Sequence, residues 1–194
     1  DEKRKEKIAF NCGMREEDVI SAPNVESIYE IPLNLEKDGI SDLIAKKLKI
    51  KPRKKDLKEW KRLVNKIKNS AEPVKIGIIG KYFSTGDFIL SDSYISVIEA
   101  VKHAAYNFGK KPVIEWLNAE SYEGGVAESN LKKLFDYDGI IVPGGFGNRG
   151  VEGKISAIKY CRENKIPILG ICYGMQLMVV EFARHIAGLK GAHT

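Results

Sequence analysis

The chain has 194 residues, 43% of them hydrophobic and 30% charged, which is enough for one good core with an appended piece, since domains commonly run to about 100–200 residues. Its start, Asp1-Glu2-Lys3-Arg4-Lys5-Glu6-Lys7, is charged with no apolar stretch behind it, and no apolar run approaches the ~20 residues of a membrane span, so neither an export signal nor a membrane partner is expected. Three cysteines, Cys12, Cys161 and Cys172, show no paired or metal-type spacing; an odd count suits a reducing compartment, and the cytoplasm is the expected location.

The net charge of +6 is unevenly placed, with ten basic and two acidic residues between Lys46 and Arg62. Such a run can attract anions through its field. It lacks the interleaved row of aromatic residues that a base-stacking surface requires, so it reads as a solvated linker and helix face, and no nucleic acid is expected.

In chain order, residues 1 to 13 read as a short charged helix stopping near Gly13, Val19-Ile20 as a short strand, and Ile28 to Leu35 as an apolar extended run containing Pro32. Ile40 to Leu48 reads as a helix. A basic linker around Ile50 to Lys55 leads into a second helix, Leu57 to Ile67, whose Leu57, Trp60, Leu63, Val64 and Ile67 form an apolar stripe. These pieces are too few to make a domain without a sheet, so the chain is expected to begin inside a larger protein. Asn69-Ser70-Ala71-Glu72-Pro73 breaks the pattern, where a domain boundary fits.

From Val74 strand and helix alternate. Strands are expected at Val74 to Ile79, Pro112 to Leu117, Gly139 to Val142 and Ile166 to Ile171, with helices at Ser93 to Phe108, Ser129 to Phe135, Val151 to Asn164 and Met175 to Ala187. Four β-α units imply an α/β fold, a doubly wound, mostly parallel sheet with its site at the C-terminal edge of the strands. Phe83 to Asp92 is longer than a usual βα loop.

Two motifs reach that edge. Gly170-Ile171-Cys172-Tyr173-Gly174 places Cys172 between a strand and a helix, the pattern of a nucleophile elbow, in which small residues two positions to either side let strand and helix close on each other. A helix N-terminus also favours thiolate over thiol. The second, Val142-Pro143-Gly144-Gly145-Phe146-Gly147-Asn148-Arg149-Gly150, is a strand running into a glycine-rich loop whose N–H groups suit a tetrahedral oxyanion. Gly145 and Tyr173 are the expected donors. The same loop satisfies Gly-x-Gly-x-x-Gly, but the next strand ends in Cys172 without the carboxylate that a dinucleotide ribose needs; Gly80-Lys81-Tyr82 fails as a phosphate loop, lacking the Ser or Thr. A cysteine hydrolase also needs a base. None of His103, His185 and His193 has an adjacent carboxylate in sequence, and surface or packing roles are expected for all three.

Pro143-Gly-Gly-Phe-Gly147, Gly150-Val-Glu-Gly-Lys154 and Gly170-Ile-Cys-Tyr-Gly-Met-Gln176 together resemble the class I glutamine amidotransferase domain of the CTP synthase family, over Val74 to the C-terminus. Glu6-Lys-Ile-Ala9 and Val19 to Pro32 are similar to the end of that family's synthetase domain. The resemblance implies three parts: residues 1–50, the end of the ATP-dependent synthetase domain; 51–73, a linker and helix; 74–194, an amidotransferase domain incomplete at its C-terminus. It implies a flavodoxin-like sheet. It also implies ATP-dependent amination of UTP to CTP with Mg²⁺, using ammonia from glutamine hydrolysed at Cys172. Gly144, Gly145, Tyr173, Gly174, Met175 and Gln176 would serve the oxyanion and glutamine; Lys7 the pyrimidine nucleotide; Pro23, Asn24 and Val25 the adenine; Phe146 or Arg149 the activator GTP. The family's His-x-Glu base and its Mg²⁺ ligands have no counterpart here, and a tetrameric homo-oligomer is implied. Phe83 to Asp92 is longer than is common in that family. Two alternatives stand beside it: another cysteine hydrolase of the fold, such as a γ-glutamyl hydrolase, and a non-catalytic regulatory or binding module.

Overall fold

The computed structural model describes residues 2–52, 54–81, 84–85, 88–89, 94–145 and 147–194. The chain divides into two compact units, Asp1–Asn69 and Ser70–Thr194.

The first unit is helical. Helix α1, Glu2–Cys12, ends where Gly13 takes a left-handed φ of 61°, and the Met14 N–H closes the turn on the Ala9 carbonyl at 3.0 Å. Three more helices follow: α2 at Ile31–Lys37, α3 at Ile40–Leu48 and α4 at Lys58–Asn69. Two expectations fail in this unit. Ile28 to Leu35 is not extended: a single 3-10 turn, Ile28–Glu30, with the Ser27 side chain accepting from the Tyr29 N–H, runs directly into α2. Pro32 sits in the first turn of that helix, where its missing N–H costs nothing. Val19-Ile20 is coil, since two residues form a strand only against a partner and none is paired with them among the described residues. The basic run is partly neutralised: Lys46 pairs with Glu17, Lys47 with Asp18 at 2.6 Å, and Lys55 with both Glu36 and Asp42. The Trp60 indole N–H donates to the Tyr29 carbonyl at 2.8 Å, tying α4 to the 3-10 turn.

The second unit holds a four-stranded parallel sheet of β1 (Glu72–Gly80), β4 (Lys110–Asn118), β5 (Gly139–Val142) and β6 (Ile168–Gly170), in spatial order β4-β1-β5-β6. That is the start of the flavodoxin-like order, with the reversal of direction between β1 and β5, the place where doubly wound sheets carry their sites. Register pairs Ile76 with Gly139 and Ile140 with Ile168. The expected long loop lies mostly outside the described residues; its described parts, β2 (Ser84–Thr85) and β3 (Phe88–Ile89), form an antiparallel pair. Helix α5 (Ile95–Asn107) covers one sheet face. The other is covered by α6 (Ala127–Lys132), α7 (Val151–Glu163) and α8 (Tyr173–His185). The helix expected at Ser129 to Phe135 begins earlier and tightens into a 3-10 turn, Lys133–Asp136. The core joins Ile79, Ile140 and Val142 of the sheet to Ile155, Ile158 and Cys161 of α7 and Leu177 and Val180 of α8. Burying each aliphatic side chain among these stabilises the fold by roughly 1.5–3 kcal/mol.

Among the described residues, the sheet is incompletely covered on the α5 face. A cleft of about 820 Å³, lined by Val74, Ile76, Val97, Val101, Ile141 and Leu169 among others, opens there. Its walls are almost wholly apolar, and none of the candidate site residues lines it.

Candidate functional site

The turn between β6 and α8 is built by steric exclusion. A Cβ on Gly170 would stand 2.7 Å from Gly174 backbone atoms, and a Cβ on Gly174 only 1.9 Å from the Val142 carbonyl oxygen. Only hydrogen fits at either place, so strand, helix and the neighbouring β5 close to contact distance. Hydrogen bonds lock the turn: the Ile171 N–H donates to the Val142 carbonyl and the Gly174 N–H to the Ile171 carbonyl, both at 2.9 Å. Between them Cys172 is driven to φ 52°, ψ −110°, a conformation costly for a residue with a side chain, and it caps the N-terminus of α8. Its thiol is exposed.

The glycine loop after β5 comes to this thiol. A Cβ on Gly144 would lie 3.9 Å from Cys172 Sγ, so the loop backbone runs alongside the sulfur. Among the described residues the Gly145 N–H has no hydrogen-bond partner. Tyr173 opens α8, and its hydroxyl shares a hydrogen bond with Thr194 Oγ1 at 3.1 Å. Gly174 is buried, while Met175 and Gln176 are exposed on the first turn of α8. Gly144, Gly145, Cys172, Tyr173 and Gly174 thus share one edge of the sheet.

Phe146 lies outside the described residues. Arg149 stands beyond the loop with its guanidinium on Glu120, at 2.5 Å from Nε and 3.2 Å from the second nitrogen. The pair holds the Glu120 carboxyl below its ordinary range. Lys7, Pro23, Asn24 and Val25 belong to the first unit, Lys7 exposed on α1 and the other three in coil between Asp18 and Ile28.

No histidine approaches Cys172 along its helix. His185 ends α8, about 20 Å away by helix rise, with Nδ1 against the Glu181 carbonyl at 3.1 Å. His193 contacts the Thr194 carbonyl, and His103 lies in α5. The set brings an exposed thiol at a helix N-terminus alongside a glycine-rich backbone.

Two neighbours escaped the sequence reading. Lys154 is 1% exposed, with Nζ 5.9 Å from the centre of the Tyr173 ring. Burial, with Lys81 nearby, pushes its pKa down to about 8. A signal was available: Lys154 falls between Val151 and Ile158 at helical spacing, on the face of α7 that is otherwise apolar. Lys81, at the end of β1, donates to the Gly147 carbonyl at 3.2 Å. The second neighbour is Tyr94, whose hydroxyl donates to the Gly144 carbonyl at 3.2 Å.

Residues 89–194 match the family described as glutamine amidotransferase class-I, and residues 1–50 match the CTP synthase N-terminus. The chain is 47% identical over 191 residues to CTP synthase of Bacillus subtilis, covering 98% of this chain and 34% of the relative. It is 49% identical over 194 residues to CTP synthase of Pyrococcus furiosus, covering 100% of this chain and again 34% of the relative. The glutaminase domain of the Trypanosoma brucei CTP synthase with bound acivicin superimposes with a TM-score of 0.57 at 38% identity, over 62% of this chain and 44% of that one. The chain thus spans about a third of the length of the curated relatives it matches.

Proposed function

Because the chain belongs to the class I glutamine amidotransferase family, we propose that it forms part of a CTP synthase, with residues 1–50 as the end of the synthetase domain, 51–73 as a connection and 74–194 as the nucleophile-bearing part of the glutaminase domain. The observation that carries this reading is Cys172, held in a strained conformation at the head of α8 with the Gly144 backbone beside its sulfur. The Cys172 thiolate attacks the amide carbon of glutamine. The C–N bond breaks as ammonia leaves with a proton, and water then cleaves the thioester to glutamate and free thiol. Gly145 and Tyr173 N–H groups hold the oxyanion in both steps, while Gly144, Gly174, Met175 and Gln176 border the glutamine.

In the same reading UTP is activated at its 4-oxygen by ATP, and ammonia displaces the phosphate. Lys7 faces the pyrimidine nucleotide and Pro23-Asn24-Val25 the adenine. Mg²⁺ serves that half-reaction. GTP, as activator, is placed at Phe146 and Arg149, where a phosphate would compete with Glu120 for the guanidinium. The assembly is a homo-oligomer, and the location cytoplasmic.

The test is Cys172→Ala in the full-length protein. Glutamine-dependent CTP formation should disappear while free ammonia still supports synthesis. Retained glutamine use would remove Cys172 from the chemistry, and absence of any CTP in the wild type would overturn the proposed function.

A further inference from the structure

The Gly144–Gly145 peptide is the one on which the proposed oxyanion donor depends, and something must set its orientation. Two consecutive glycines leave that peptide freer to rotate than any other pair, because neither φ/ψ set is restricted by a side chain. A trans peptide is planar, with its C=O and N–H directed oppositely. Whatever holds the Gly144 carbonyl therefore aims the Gly145 N–H the other way.

Tyr94 holds it. Its hydroxyl donates to the Gly144 oxygen at 3.2 Å, and its ring lies against Trp116 of β4, centroids 6.4 Å apart. The strand order β4-β1-β5-β6 puts Tyr94, which precedes α5 and leans on β4, to one side of the β5 loop. Cys172 follows β6 and lies on the other side. A carbonyl drawn toward Tyr94 leaves the Gly145 N–H directed across the loop toward the thiol, with no competing acceptor among the described residues.

We infer that Tyr94 is a positioning residue for the oxyanion hole, fixing the Gly144–Gly145 peptide in its donor orientation through the Gly144 carbonyl. This rests on the glutaminase reading above. Without the hydroxyl the peptide samples the flipped orientation, in which a carbonyl oxygen faces the developing oxyanion and repels it. The loss falls on the transition state and not on glutamine binding, because the ground-state amide carries little charge to be held.

The experiment compares Tyr94→Phe with Tyr94→Leu in the full-length protein. Phe keeps the ring against Trp116 and removes only the hydroxyl, whereas Leu removes both. Expected is a fall in kcat for glutamine hydrolysis of about 10- to 100-fold in both variants. KM for glutamine and the rate at which iodoacetamide alkylates Cys172, a reaction that forms no oxyanion, should stay at wild-type values in Tyr94→Phe. A Phe variant within twofold of wild type in kcat, with only Leu impaired, would reduce Tyr94 to a packing residue and overturn the inference. So would equal losses of hydrolysis and alkylation. Wild-type protein that releases no ammonia from glutamine would instead overturn the glutaminase reading itself, and the inference with it.

Discussion

Cys161 and Cys172 belong to the same unit yet stand in opposite environments. Cys161 is wholly buried in the core, and that burial pushes its pKa up to about 12; Cys172 is exposed at the N-terminus of α8. Limiting iodoacetamide followed by peptide mass mapping should label Cys172 first and Cys161 last, and labelling of Cys161 ahead of Cys172 would contradict the packing described for α7. Lys154 makes a second prediction at this scale. Its pKa, about 8 in the fold, lies below the ordinary 10.5, so between those values the unfolded chain binds more protons and stability rises with pH. Below pH 8 the ammonium is charged in both states and the full cost of burying it is felt. Lys154→Met, a substitution of similar length without the charge, should therefore be more stable than wild type near pH 7, with the gap in melting temperature narrowing as pH rises to 10. A gap independent of pH would mean that the ammonium reaches water.

Between α7 and α8 the fold relies on charge as well as apolar contact. Glu181, 1% exposed, accepts from Arg162 through two nitrogens at 2.8 and 2.9 Å, and His185 stands 3.3 Å from the same carboxylate. Arg184 reaches back from α8 to Glu152 of α7 at 2.9 and 3.0 Å. These pairs pin the register of α8 on α7, and so the position of its N-terminus, where Cys172 is carried. Removing one partner of a buried pair is worse than removing both, because it strands an unneutralised charge. Arg162→Met should cost about 3 kcal/mol in urea-induced unfolding, and Arg162→Met with Glu181→Leu should recover most of it. Equal stability of single and double variants would show that water reaches Glu181 once the arginine is gone.

For the molecule as a whole, the question is whether the thiol turns over. A thiol at a helix terminus can be acylated, but releasing ammonia and cleaving a thioester require proton transfers that a general acid–base commonly speeds by about 10²–10⁴-fold. His185 is at the far end of α8, His103 lies in α5, and His193 contacts the Thr194 carbonyl. The 194-residue chain on its own should show at most acylation without steady release of ammonia, measured by coupled ammonia assay. Addition in cis of a segment supplying a histidine with its carboxylate should restore turnover. Comparable rates for the two proteins would mean that one of these three histidines is the base.

Local pattern carried much of this protein into view from its residues. Apolar runs place β1, β4, β5 and β6, helical spacing places α3, α4, α7 and α8, and glycines two positions either side of Cys172 announce a close strand–helix approach, because each depends on neighbours within a few positions. Ile28 to Leu35 shows where that reach ends. Its apolar residues and Pro32 suit either an extended run or a first helical turn, and what separates the two is Trp60, distant in sequence, donating to the Tyr29 carbonyl. Lys154 and Tyr94 were beyond sequence for a related reason. A lysine on an apolar face and a tyrosine before a helix are unremarkable until the sheet order brings the first beneath Tyr173 and the second to the Gly144 carbonyl. Periodicity is a property of one element, whereas a buried charge or a held peptide is a property of elements that meet, and that meeting is set by strand order and packing.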